Sequence, residues 1–174
     1  VFETRIGFPT SRALGLHEAH LLSASKDGRL AVLLGQDAGT RWGTLAEVPA
    51  SGGAPRRILD EVLFADWSPD GMSLAVVHRT AGKVRLEWPP GRVLRETAGS
   101  MGGIRVSRGG NLVAVVDNPS FGDTRGSVAI VDRTGRVVCR TTDEWNDLGG
   151  VAWTPDDREV WFAATKDRVT TEIR

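Results

Sequence analysis

Apolar residues in this chain come in short runs, not at helical spacing. Leu30 to Leu34, Leu74 to Val77 and Leu112 to Val116 are four or five residues long, and the last two are rich in Val. No window keeps apolar positions at helical spacing through three turns, so the pattern predicts buried strands with little helix. Turn residues punctuate the runs at Ser25-Lys26-Asp27-Gly28, Ser68-Pro69-Asp70-Gly71, Arg108-Gly109-Gly110 and Thr154-Pro155-Asp156-Asp157. In the second of these, Pro69 presets φ, Asp70 can bond its own backbone, and Gly71 can take a positive φ.

The strands and turns repeat in order. Leu21–Ser25, Leu30–Leu34, Thr44–Val48 and Arg56–Leu59 form one set of four strands. Leu63–Trp67, Ser73–His78, Val84–Trp88 and Val93–Glu96 form a second, and Ile104–Ser107, Leu112–Val116, Ser127–Asp132 and Val137–Thr141 a third. A fourth set starts with Gly150–Trp153 and Glu159–Ala163 and runs out at Val169–Ile173. Ser25, Ser68, Ser107 and Thr154 are separated by about 43, 39 and 47 residues, the length of a four-stranded propeller blade. The predicted fold is therefore all-β, a β-propeller of four-stranded antiparallel blades spanning 20–60, 62–97 and 103–142. Residues 1–16 read as the outer strands of one further blade, and 149–174 as the inner strands of another. The expected whole is a segment of a larger ring. A closed ring of four blades is the alternative, at the lower limit for propellers.

These residues resemble the TolB-like, WD-type propeller repeat of bacteria, marked by a Ser-Pro-Asp-Gly turn between the first two strands of a blade. Ser68 to Gly71 match in full. The other turns depart from it through Lys26 and Arg108 in place of Pro, Gly109 in place of Asp, and Asp157 in place of Gly. The runs Gly43 to Pro49 and Phe64 to Gly71 are similar to propeller segments that follow bacterial serine/threonine kinase-like domains. That resemblance implies a non-catalytic sensor or docking module appended to a larger protein. A second reading is the gating propeller of a prolyl-oligopeptidase-like peptidase whose catalytic domain lies outside the chain. A third is assembly through exposed strand edges.

Strand order directs the search for a site. Tight turns gather at one end of the blades and the longer loops at the other, where binding residues concentrate on a rigid scaffold. The candidates on that loop face are Arg41, Trp42, His78, Arg79, Asn118, Phe121, Arg125 and Trp145, since aromatics and Arg among polar neighbours have the composition of contact surfaces. Trp67 and Trp153 recur just before the turn and read as core. Asp117, Asn118 and Asp123 could offer oxygens to calcium, but their spacing does not fit an EF-hand loop and an Asx-rich turn accounts for them. The stretch Gly99 to Gly103 lacks the Lys and following helix of a phosphate loop and reads as a connection between blades.

Composition narrows the partner. Lys plus Arg number 22 and so do Asp plus Glu, giving zero net charge and no broad nucleic-acid surface. Cys139 is the single cysteine, which excludes an intrachain disulfide and a cysteine-based zinc cluster and fits either cytosol or periplasm. No apolar run approaches the roughly 18 residues of a membrane span. No Gly-x-Ser-x-Gly elbow occurs, and His17, His20 and His78 are scattered, so no catalytic residue and no cofactor is expected. The expected partner is a protein or small ligand on the loop face.

Overall fold

The computed structural model describes residues 1–7, 9–36, 39, 41–120, 125–142, 145–165 and 171–173. Among them there is no helix, and every strand pairing is antiparallel. A short hairpin, β1 (Phe2–Thr4) with β2 (Ser11–Ala13), precedes three larger sheets. The first holds β3 (Ala19–Ala24), β4 (Arg29–Leu34), β5 (Gly43–Pro49), β6 (Arg56–Trp67), β7 (Leu74–Thr80), β8 (Lys83–Glu87) and β9 (Val93–Thr97) in sequence order. The second holds β10 (Ser100–Val106), β11 (Leu112–Asn118), β12 (Ser127–Asp132) and β13 (Val137–Arg140), and the third β14 (Asp147–Trp153), β15 (Val160–Thr165) and β16 (Thr171–Ile173).

The seven-stranded sheet is two four-stranded units sharing β6. Two strands, Arg56–Leu59 and Leu63–Trp67, were expected there, and the chain instead runs through without a break. Its first half pairs with β5 (Glu47 opposite Arg56) and its second with β7 (Trp67 opposite Leu74). Glu61 at the changeover takes φ +55° and its carboxylate pairs with Arg79, so the polar Asp60-Glu61 pair bends the strand without ending it. Gly99 to Gly103 also departs from expectation: residues 100 to 103 belong to β10 and do not form a connecting loop.

The apolar runs are explained by burial on both faces. In β4, Leu30 and Val32 join one cluster while Ala31 and Leu33 join the next. In β7, Leu74 and Val76 pack toward the first unit, and Ala75 and Val77 toward the third. In β11, Val113 and Val115 face the second unit, and Ala114 and Val116 face β14. A strand alternating between two apolar neighbours needs no polar face, so its sequence is continuous rather than alternating. Each fully buried Val or Leu here contributes roughly 1.5–3 kcal/mol of transfer free energy.

Polar groups tie successive units together near their first strands. Asp66 on β6 accepts from the Ser23 hydroxyl on β3 (2.7 Å) and from the Val106 N–H on β10 (2.8 Å), so one carboxylate bridges three units. Burial pushes its pKa above the ordinary carboxylate value, and these hydrogen bonds oppose the shift. Asp117 on β11 is buried and receives Arg95 from β9 and Arg140 from β13, each at 2.6 Å. This two-arginine clamp accounts for a residue that sequence had weighed as a calcium oxygen.

The four tight turns share a feature beyond the Pro, Asp and Gly of the pattern. In each, the hydroxyl of Ser25, Ser68, Ser107 or Thr154 accepts the N–H of the residue that begins or leads into the next strand, Arg29, Ser73, Leu112 or Glu159, at 2.9–3.2 Å. Three of the hydroxyls also donate to the turn carboxylate, from Ser25 to Asp27, Ser68 to Asp70 and Thr154 to Asp156. Neighbouring turns touch. The Arg29 guanidinium donates to the Gly71 carbonyl while lying 4.5 Å above the Trp67 ring.

Candidate functional site

At the end opposite the tight turns, the first strands of the second, third and fourth units leave a hollow of about 550 Å³. Its walls come from Leu63 and Phe64 on β6, Ser100 to Gly103 on β10, Val116 and Asn118 on β11, and Asp147 to Gly150 on β14, with Arg41 reaching over from the loop before β5. Two glycine pairs, Gly102-Gly103 and Gly149-Gly150, shape it. Gly103 and Gly150 take φ of +54° and +58°, and the β10 and β14 registers shift at these points. A Cβ on Gly102 would lie 3.1 Å from the Phe64 ring, and one on Gly103 3.2 Å from Val116, so β10 is close-packed here. A Cβ on Gly149 or Gly150 would meet nothing within 4 Å. Those two glycines face open space.

The lining is apolar at Leu63, Phe64, Met101, Val116 and Leu148, with charge from Arg41 and Asp147. Neither of these makes an ion pair among the described residues. Arg41 is exposed and held in a left-handed backbone conformation, φ +64°, with its carbonyl accepting from the Gln36 side chain at 2.7 Å. An apolar hollow with a few polar groups at its edge is the usual form of a ligand or peptide site.

Of the residues that sequence placed on this face, Arg41 and Asn118 line the hollow. Asn118 is buried, and its side-chain amide donates to the Arg125 carbonyl (3.0 Å). Trp42, His78 and Trp145 are buried as well and are corrected from contact residues to core. Trp42 packs into the cluster containing Val77, Leu86 and Trp88, with the Arg79 guanidinium 5.3 Å above its ring. Arg79 belongs to β7, not to a loop, and is half-buried. His78 lies against Glu87, Nε2 to Oε1 2.9 Å, both inside the second unit. Burial works against ionising Glu87, but the Gly91 N–H (2.6 Å) and His78 outweigh it and hold its pKa below the ordinary value. Trp145 meets Phe162 edge-on at 6.0 Å and exchanges backbone hydrogen bonds with Gly126. Arg125 is exposed, and Phe121 lies outside the described residues.

What sequence reasoning missed is the glycine pairs and the apolar residues beside them. The available signal was the recurrence of Gly-Gly at 102–103 and 149–150, 47 residues apart, the same interval as Ser107 to Thr154. Among the described residues, no group of three His, Cys, Asp or Glu is placed to hold a metal ion, and no helix is long and apolar enough to cross a membrane. His17, His20 and His78 lie on separate elements or loops.

No protein-family model matches the sequence, and no curated protein sequence does. Solved structures do match the fold. TolB from Acinetobacter baumannii superimposes with a TM-score of 0.66 at 22% identity, over 84% of this chain and 38% of that one. The β-propeller domain of the Trilobed protease from Pyrococcus furiosus gives 0.59 at 12% identity, over 90% and 54%, and Pyrococcus horikoshii acylaminoacyl peptidase 0.59 at 14%, over 89% and 30%. The chain thus spans about a third to a half of each of these proteins. With its antiparallel units repeating around shared clusters, the chain has the fold of part of a β-propeller, similar to TolB and to peptidase propeller domains.

Proposed function

We propose that this chain is a non-catalytic recognition module, a run of propeller blades at 20–60, 62–97 and 103–142 with partial blades at 1–16 and 149–174, belonging to a larger ring. It binds a protein segment or small ligand in the hollow opposite the tight turns. The observation that carries this reading is the hollow itself: apolar, rimmed by Arg41 and Asp147, which make no ion pair among the described residues, and kept open by Gly149 and Gly150. Support for the larger ring comes from Trp161 on β15, whose 54% exposure is of the kind a neighbouring blade would cover.

Gly149→Trp tests the site. Its backbone is not left-handed and a Cβ there meets nothing within 4 Å, so the indole will enter the hollow without displacing the core. The variant will keep the wild-type melting temperature within about 2 °C, the range of a surface change. Used as bait in quantitative pull-downs, it will lose the proteins that the wild type captures. Equal capture by both would remove the hollow from the account.

A second reading has specific support in the two peptidase structures: the propeller would restrict access to a separate hydrolase domain. The parent sequence separates the readings. A Gly-x-Ser-x-Gly elbow after residue 174 identifies the gating propeller. A kinase core before residue 1 identifies the sensor.

A further inference from the structure

The tight-turn end holds a second cavity, of about 480 Å³, between the turns of the first three units. Lys26, Asp70, Arg108, Asn111 and Arg133 project around it. We propose that this cavity binds a phosphate-class oxyanion, independently of the hollow at the opposite end.

Three cations at this end have no role in closing its turns. Lys26 and Arg108 occupy the second position of their turns, where Pro69 and Pro155 stand in the other two. All four turns close through the same hydroxyl-to-backbone bond, so closure requires no cation there. Neither Lys26 nor Arg108 makes an ion pair among the described residues, and the same holds for Arg133. Arg133 is held in place from below, its guanidinium 3.9 Å above the ring of Trp88, which is fully buried.

Asp70 is the one carboxylate in the lining, and its Oδ1 is engaged by the Ser68 hydroxyl and the Met72 N–H at 2.9 Å. Three cations and one carboxylate line the cavity, and the Asp157 carboxylate sits at its edge on the Arg108 and Gly109 N–H groups, so the cavity keeps a net positive charge. An oxyanion with several oxygens can meet all three of these cations at once, which a single carboxylate does not. The lining contains no aromatic side chain, so nothing is presented to stack on a base or ring. The N–H groups of Arg108 and Gly109 already donate to Asp157, which leaves recognition to the side chains. A guanidinium fork and a flexible ammonium are the groups that bind phosphate oxygens through charge-assisted hydrogen bonds.

Isothermal titration of the whole chain at low ionic strength and pH 8, with inorganic phosphate, pyrophosphate and O-phosphoserine, tests the site. Lys26→Met with Arg108→Met will weaken pyrophosphate binding by about tenfold or more, the scale of losing charge-assisted contacts. Arg5→Met with Lys83→Met removes the same net charge elsewhere and will change it less than about twofold. Both pairs will melt like the wild type. Tighter binding of phosphoserine than of inorganic phosphate assigns the site to an esterified phosphate, and the reverse to the free anion. Equal losses in the two double variants, or no binding by the wild type below about 10 mM, overturn the proposal.

Discussion

Two positions that break the turn pattern answer each other. Gly109 stands where the other three turns have Asp27, Asp70 and Asp156 in the third position, and Asp157 stands where Gly28, Gly71 and Gly110 close theirs. The Asp157 carboxylate reaches the Arg108 and Gly109 N–H groups at 2.8 and 2.6 Å, supplying from the next turn the acceptor that the third turn lacks. A side chain at 109 would crowd that carboxylate, with a Cβ 3.3 Å from it. Asp157 takes φ +57° to do this, a conformation that costs on the order of 1 kcal/mol for a residue with a side chain. Restoring the pattern with Asp157→Gly relieves that strain but abandons two charge-assisted bonds. The balance predicts a net loss of about 1–2 kcal/mol in chemical denaturation, whereas a gain in stability would mean that the two turns are not coupled.

At the scale of strands, the decisive property is that the inner pairs are apolar on both sides. Val76 and Val77 are neighbours in β7, point to opposite faces and are both fully buried, in separate clusters. Val76→Ala and Val77→Ala will therefore each cost about 1–3 kcal/mol in urea or guanidinium denaturation. A strand with one wet face would show the cost at only one of the two. This both-sided burial is why the strands were legible from sequence, since short Val-rich runs between turns leave little alternative. The boundaries were less legible where chemistry and geometry part company. Asp60-Glu61 has the polarity of a break, yet Glu61 bends β6 and keeps it continuous. Residues 100 to 103 have the composition of a loop, yet they form a bulged strand. Trp42, His78 and Trp145 have the composition of a contact surface, but only three-dimensional packing shows them turned inward on the core.

For the whole molecule, the order of strands sorts the chain into two ends of different character. The turn end is bonded from unit to unit, through Arg29 to Gly71 and Asp157 to Arg108 and Gly109, and is cationic around Lys26, Arg108 and Arg133. The loop end is apolar and hollow, with Arg41 and Asp147 at its edge. The hollow lies at the end where sequence placed the longer loops, because turn length is written in the chain. Its lining depended on glycine pairs whose role appears only when β10 and β14 stand side by side. Zero net charge is what the proposal of recognition confined to local patches requires.

Backbone hydrogen exchange of the chain, measured alone and with a partner isolated by pull-down, tests the central claim most directly, that recognition uses the loop end. Protection gained on binding will map to residues 100–103 and 147–150, which wall the hollow. Protection confined to residues 68–73 and 107–112 at the turn end, with the hollow unchanged, would contradict the account.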